Sequence, residues 1–446
     1  MVEPPDPAAI MQSRRFVGLL VLAAIVGVGA SLAAWGFLEL IHESQGWVYS
    51  DLPEALGYDT TPKWWSLPVL GLAGLVVAFA VVRLPGRGGH VPVKGLSPEP
   101  TQPIELPGVL VAALATISLG LVLGPEAPLI ALGGGLGILT INRLRRDASP
   151  ELVELVAASG TFAAISFLFG SPVIAAVILI EAAGLGGSRL PLVLVPGLLA
   201  AGIGSLVSIG MGSWTGVDTG EIALDPLSLP AYARPDLTDF LWTIPLAAAV
   251  AVVTFVVFSI ARRTERAVTS HPFLALPAAA VAVSGLAIAF SEAADKGVDQ
   301  VLFSGEEAIN PLITNAGTWS LSALALLIGF KGLAYAVSLA SFRGGPVFPA
   351  LFLGAAGGLM AADLPGFEIT PAVAVCIGAA VVSVLRLPLS AVVLATLLTS
   401  EAGLGVGPVI IVGVVVAYLT TLVLSRSRDQ RPDQSVGAGP ADRPGR

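Results

Sequence analysis

Residues 123–137 read LGPEAPLIALGGGLG. A carboxylate, Glu126, stands between Pro125 and Pro128, with an apolar run before it and a glycine-rich apolar segment after it. Pro128 fits the first turn of a helix, where no backbone N–H is required. The stretch therefore predicts a helix start with an acid beside it.

The surroundings of that helix start are lipid. Of 446 residues, 55% are hydrophobic and 12% are charged, and the mean hydropathy is +0.86. An ordinary soluble domain carries roughly 25% charged residues. Apolar runs recur at Phe16–Leu38, Trp65–Leu84, Val109–Leu123, Leu190–Ile209, Leu241–Ala261, Phe273–Phe290, Leu321–Leu339 and Val406–Leu424. A span needs roughly 20 apolar residues, and several of these runs are shorter or broken by Gly and Pro. The expected fold is an all-α polytopic membrane protein whose helices are tilted or stop midway. The net charge of −8 and a pI near 5.0 argue against nucleic acid as a partner. The single cysteine, Cys376, permits no internal disulfide, and no metal or cofactor is expected. Arg14 and Arg15 lead into an apolar stretch too long for a cleavable signal core.

Two segments repeat. PLIALGGGLG (128–137) and PALFLGAAGG (349–358) share PxxxLGxxxG, and SPVIAAVILIEAAGLG (171–186) resembles LPLSAVVLATLLTSEAGLG (387–405). The pairs occur in the same order. The implied organisation is an N-terminal tail (1–15), a first membrane repeat (16–212), a linker (213–235), a second repeat (236–425) and a disordered C-terminal tail (426–446). Arg14 and Arg15 precede the first span of one half, whereas Arg262, Arg263 and Arg266 follow the first span of the other. With positive residues kept on the cytoplasmic side, the halves are inverted and both termini are cytoplasmic, in a cell-membrane protein. Inverted repeats with interrupted helices are a transport architecture.

The first N–H groups of the helix at Glu126 have no intrahelical partner, and their dipoles sum to a partial positive charge. In lipid that end needs something negative. A permeating anion fills the role, and so does a tethered carboxylate, so Glu126 is expected to compete with the transported ion and act as a gate. RGGPVFPALFLG (343–354) supplies a second such start and RGGHVPVKGL (87–96) a third. Their convergence would make an anion site from backbone dipoles, compatible with a net negative chain.

These three motifs, GGHVP (88–92), GPEAP (124–128) and GGPVFP (344–349), in this order resemble the anion site of the CLC family of chloride channels and chloride/proton exchangers. The resemblance runs from about Arg15 to Leu424. It implies an anion site at Gly88, Gly89, His90, Val91, Pro92, Gly124, Pro125, Ala127, Gly345, Pro346, Val347, Phe348 and Pro349, with Glu126 as the gate. It also implies a homodimer with one pore per subunit. The departures matter. Gly89 replaces the family's ion-binding serine and His90 the glycine after it, Pro125 the usual basic or polar residue, and Ala127 a glycine. The family's phenylalanine position falls on Val347, with Phe348 one place on. The family's ion-coordinating tyrosine has no match; the last tyrosine is Tyr418. The inward-facing glutamate of the exchangers falls on Ala182, with Glu181 adjacent as a candidate for a proton path or a bond to a neighbouring helix end. Uncoupled chloride conduction is therefore favoured over proton-coupled exchange of chloride or fluoride. An intramembrane enzyme is disfavoured: His42, His90 and His271 are scattered and no HExxH occurs.

Other groups have plainer readings. Lys331 is either a snorkelling side chain or a cation along the anion path. His90 either supports the site from behind or faces an aqueous vestibule, Glu401 faces a membrane surface, and Trp47, Trp64 and Trp65 read as interfacial anchors. Glu306, Glu307, Asp295 and Asp299 read as a solvated loop.

Overall fold

The structure, a computed structural model, describes residues 11–95, 100–184, 186–187, 190–215, 224 and 226–429. Most of the N-terminal tail, residues 216–223 and 225 of the linker, and the C-terminal tail from 430 lie outside the described residues. Among the described residues, fifteen helices of six or more residues carry the architecture. The first repeat holds α1 (Arg14–Gly46), α2 (Ser66–Arg83), α3 (Leu106–Ser118), α4 (Glu126–Leu144), α5 (Pro150–Leu168), α6 (Pro172–Ala182) and α7 (Leu190–Thr215). The second holds α8 (Leu237–Val268), α9 (Pro272–Ala294), the short α10 (Ile309–Thr314), α11 (Leu321–Ser341), α12 (Val347–Ala361), α13 (Ile369–Leu385), α14 (Pro388–Leu398) and α15 (Gly407–Asp429). The last helix thus runs four residues into the segment expected to be a tail.

Among the described residues nine helices are long and apolar enough to cross a bilayer. The chain is a multi-pass membrane protein. α1 shows how the sequence sorts its faces: Val17, Val21, Ile25, Val28 and Leu32 stay exposed, while Ala23, Val26, Ala30 and Ala34 are buried. The exposed stripe suits lipid, and the small buried residues let neighbours come close. Ala30, Ala163 and Ala200, all fully buried, bring α1, α5 and α7 together.

The helix partners repeat with the sequence. α4 packs on α5 as α12 packs on α13, α5 on α7 as α13 on α15, and α1 on α7 as α8 on α15. Two helix pairs, α2 with α9 and α6 with α14, join equivalent elements across the halves. The glycines of PxxxLGxxxG explain the tightest crossings. A Cβ at Gly133 would strike the Gly160 carbonyl, and one at Gly137 would lie 2.6 Å from the Val156 oxygen. In the other half a Cβ at Gly354 would lie 2.8 Å from the Cys376 oxygen and one at Gly358 would be 2.7 Å from the Val373 nitrogen. The shared motif is therefore the backbone-to-backbone contact of a helix pair, present once per half.

Two of the five shorter apolar helices among the described residues, α3 and α12, end or start at the connectors that meet between the halves. The Val109–Leu123 run does not form one span: α3 ends at Ser118, and Gly120 at φ +99° turns the chain into the segment that reaches Glu126.

Gly133→Ala and Gly358→Ala are expected to destabilise the detergent-solubilised protein by about 1–3 kcal/mol or more through overpacking. Gly29, which has no atom within 4 Å of a built Cβ, should tolerate Ala. Thermal melting followed by size-exclusion recovery checks the contrast; equal melting of all three would sink the close-packing account.

Candidate functional site

Two connectors, 119–125 and 342–346, meet at the centre of the molecule. Gly124 and Gly345 form an isolated antiparallel bridge, with Gly124 N–H donating to the Gly345 carbonyl at 2.8 Å and Gly345 N–H to the Gly124 carbonyl at 2.6 Å. The connectors are also tied to the opposite halves: Val122 N–H donates to Ser338 Oγ at 3.2 Å, and Arg343 N–H to Thr116 Oγ1 at 3.3 Å. Irregular backbone at membrane depth is tolerated only where its polar groups are satisfied; here each half satisfies the other.

Each connector delivers a proline to a helix N-cap. Pro125 (φ −85°, ψ −6°) caps α4 and Pro346 (φ −92°, ψ −4°) caps α12, with Pro128 and Pro349 in the equivalent third helical positions. Proline has no N–H. The unpaired donors left in each first turn are therefore two: Glu126 and Ala127 on α4, and Val347 and Phe348 on α12. Glu126, 3% exposed, accepts the Val347 N–H with Oε1, while its Oε2 is buried with no protein partner. The bridge glycines make room for this carboxylate, because a Cβ on Gly345 would collide with its Cδ and one on Gly124 with its Oε2.

Side chains that the sequence did not single out support the α12 tip. Tyr335 on α11, 1% exposed, donates its hydroxyl to the Pro346 carbonyl at 2.6 Å. Phe348 is fully buried and stacks on Phe169, at the end of α5, with centroids 5.8 Å apart and planes 8° from parallel. The stack joins residues far apart in sequence and the Tyr335 bond joins two separate elements, neither of which periodicity reveals.

The third motif differs from expectation. GGHVP does not start an α-helix. Gly86, Arg87, Gly88 and Gly89 all have positive φ (+73°, +49°, +75° and +89°), and only short 3-10 turns, Pro85–Gly88 and Pro92–Lys94, flank His90. Such a run of left-handed residues cannot enter a right-handed helix. It wraps instead around a cavity of about 250 Å³ whose wall includes Gly88, Gly89, His90, Ala127, Arg343 and Gly344. Val91 packs half-buried against the main core, and Pro92 and Pro349 are buried; none of these three lines the cavity. His90 lies outside the spanning helices, and partial burial, aided by the charges of Lys94 and Arg343, holds its imidazolium below the ordinary histidine range.

Of the plainer readings, some are kept and some are changed. Glu181 Oε1 accepts Leu389 N–H at 2.9 Å, and Oε2 accepts Ser390 N–H and Ser390 Oγ at 2.7 Å each. Both oxygens therefore cap α14, where Pro388 again removes the first donor. Lys331 does not snorkel: it is fully buried, lies 4.3 Å from the centre of the Phe352 ring, and donates to the carbonyls of Gln300, Val301, Leu302 and Phe303 at 3.0–3.4 Å. That stapled loop bonds the first connector through Phe303 N–H to the Gly120 carbonyl at 3.0 Å. Its continuation holds Glu306, which is half-buried rather than solvated. Burial first, then repulsion from Glu126 and Glu307, raises the Glu306 carboxyl well above the usual range. Glu307 and Glu401 are exposed as expected. Trp47 and Trp64 are exposed at 59% and 48%, but Trp65 is buried and donates Nε1–H to the Val48 carbonyl at 3.0 Å.

A family model described as voltage gated chloride channel matches residues 94–422. The chain belongs to that family. The match begins after α2 and GGHVP and takes in both connectors and the helices from α3 into α15. Over 357 residues, 78% of this chain and 80% of theirs, the sequence is 29% identical to YfeO proteins of Escherichia coli (strain 55989 / EAEC) and Shigella boydii serotype 4, provisionally named ion-transport proteins. The fold resembles that of a slow cyanobacterial Cl−/H+ antiporter (TM-score 0.72, 20% identity, 93% of this chain and 98% of that one). It also resembles a CLC-type fluoride/proton antiporter (TM-score 0.69, 18% identity, 91% and 95%). CLC-type anion transport is the family's business, and the fold is a CLC transporter fold.

Glu181→Ala leaves the α14 cap open and is expected to lower stability on the scale of a lost helix cap, about 0.5–2 kcal/mol. Melting of the purified variant checks this, and an unchanged melting temperature would show the cap to be dispensable.

Proposed function

We propose that this protein conducts a small monovalent anion, chloride first, through the site between the tips of α4 and α12, with Glu126 as the gate. One observation carries the reading. A carboxylate already occupies the Val347 N–H, with a second oxygen buried and unpartnered beside it. A group held in this way stands where a permeating anion would stand, because both seek the same positive helix end. Displacement by an anion, or protonation from the solution, frees the amides and opens the path. The remaining expected ligands follow from position: backbone at Ala127, Val347 and Phe348, over a floor of Gly124 and Gly345, with Pro125, Pro346 and Pro349 limiting the donors. Gly88, Gly89 and His90 contribute the wall of the neighbouring cavity, and Val91 and Pro92 hold that wall in place.

Conduction without proton coupling is the favoured mode. Ala182 stands where the family's exchangers carry an acid, and Glu181 has both oxygens engaged as a cap. A second reading, proton-coupled exchange of chloride or fluoride, is favoured by one observation: the half-buried Glu306 continues the loop that bonds the first connector and so places a second acid near the site. A homodimer in the cell membrane, with cytoplasmic termini, completes the proposal by resemblance to the family.

Glu126→Ala should fold, conduct chloride at least several-fold faster than the parent at neutral pH, and lose dependence on external pH. Gly345→Ala tests the same gate without removing the acid, since its methyl group takes the carboxylate's place. Liposome flux with a halide electrode reads both. Parent-like rate and pH response in Glu126→Ala would remove Glu126 from the gate.

Chloride efflux from these liposomes should drive no proton movement. Stoichiometric proton uptake would replace conduction with exchange, and Glu306→Gln would then be expected to uncouple it.

A further inference from the structure

Arg343 is the buried charge that the proposed gate does not use. It sits in the second connector, 8% exposed, and its stem lies against Gly88, where a built Cβ would be 3.4 Å from Arg343 Cγ. Its Nη1 donates to the carbonyls of Ser341 and Phe342 at 3.3 and 3.2 Å. Its Nε is buried without a partner, and Nη2 makes no hydrogen bond to a described residue. No carboxylate among the described residues lies within ion-pair distance of it. A guanidinium does not deprotonate in a protein, and burying an uncompensated charge is expensive enough that such groups are almost always paired. Glu265 attracts Arg343 without pairing with it, so the Nε donor stays unfilled and an anion from outside the chain can take it.

The cavity it lines is where that charge can enter. The opposite walls are backbone: Gly88 and Gly89 in left-handed conformations, His90, and the first turn of α4 at Ala127 and Pro128. Glu105 also lines the cavity, but its Oε2 is engaged by Gln102 N–H at 3.0 Å. Lys94, on the same turn as His90, is paired with Glu265 at 3.0 Å. Glu126 is not among the residues lining the cavity and is engaged on the Val347 amide. We propose that Arg343 adds this chain's own side-chain ligand to the anion subsite in this cavity, beside Glu126, and that it binds a monovalent anion through its free Nε and Nη2 donors. The Nε–Nη2 edge of a guanidinium presents two parallel N–H groups. A planar oxyanion such as nitrate meets both with separate oxygens, and a halide shares one atom between them. The subsite thus supplies by charge and shape what Gly89 lacks in a hydroxyl. This inference rests on the anion-transport reading.

The test is titration calorimetry of the purified full chain with chloride and with nitrate, alongside liposome flux of both ions. Arg343→Gln should weaken binding of both anions by about tenfold to a hundredfold, the scale of a lost charge-assisted hydrogen bond. Arg343→Lys, which keeps the charge but not the paired donors, should retain chloride binding and lose nitrate selectively; it carries the test if Arg343→Gln does not fold. Parent-like binding of both anions in Arg343→Lys and in any folded Arg343→Gln overturns the subsite, even if chloride flux persists and upholds the transport reading. Arg343-dependent binding in a protein that transports neither anion upholds the subsite and removes the transport reading.

Discussion

Two hydrogen bonds between Gly124 and Gly345 set the conditions for everything around them. They join the non-helical ends of two half-spans, and without them a bilayer interior would hold two strands of unpaired backbone at several kcal/mol per group. Because the strands satisfy each other, the following helices can begin deep in the protein with their first amides free. Those free amides are then rationed by proline at the N-cap and third positions, so that a single carboxylate is enough to fill the pocket. The glycine requirement has the same origin: the bridge needs close approach, and the carboxylate lies where either side chain would go.

The rest of the molecule keeps that arrangement rigid. Gly133 and Gly137 bring α4 onto α5, and Gly354 and Gly358 bring α12 onto α13, so both tips are borne by helix pairs in backbone contact. Tyr335 anchors the Pro346 carbonyl, and Lys331 gathers four loop carbonyls beside the first connector. Buried polar groups are costly in lipid, and here they are engaged with backbone that the interrupted helices leave unpaired. The price of a broken span is met locally.

Much of this was legible in the chain. Seven of the eight apolar runs located spans, although Val109–Leu123 did not and α4 and α5 fell outside the runs; PxxxLGxxxG revealed the repeat, and the proline-flanked Glu126 marked a helix start at depth. The reading of Glu181 as a bond to a neighbouring helix end matched its contacts. Other features were not legible, for physical reasons. GGHVP resembles a helix start by its glycines and proline, yet the left-handed run from Gly86 to Gly89 depends on packing against Val109 and Ala112, which local propensity does not encode. Glu306 looks solvated among acidic neighbours because its burial comes from elements folded over it. Tyr335, Phe169 and Arg343 act through partners brought close only by topology. Their residue types alone carry no periodic or motif signal.

The Gly124–Gly345 bridge equates Glu126 with Val347, and this equivalence has an evolutionary consequence. Immediately after a duplication both positions would have carried the same residue. Two acids there would have forced like charges into a space fitted to one, which disfavours joint ionisation; two valines would have left no occupant tethered to the protein. The arrangement requires the two halves to differ at this position, one carrying the acid and the other offering it a resting place. The symmetry of the architecture therefore stops at the side chain on which the chemistry turns.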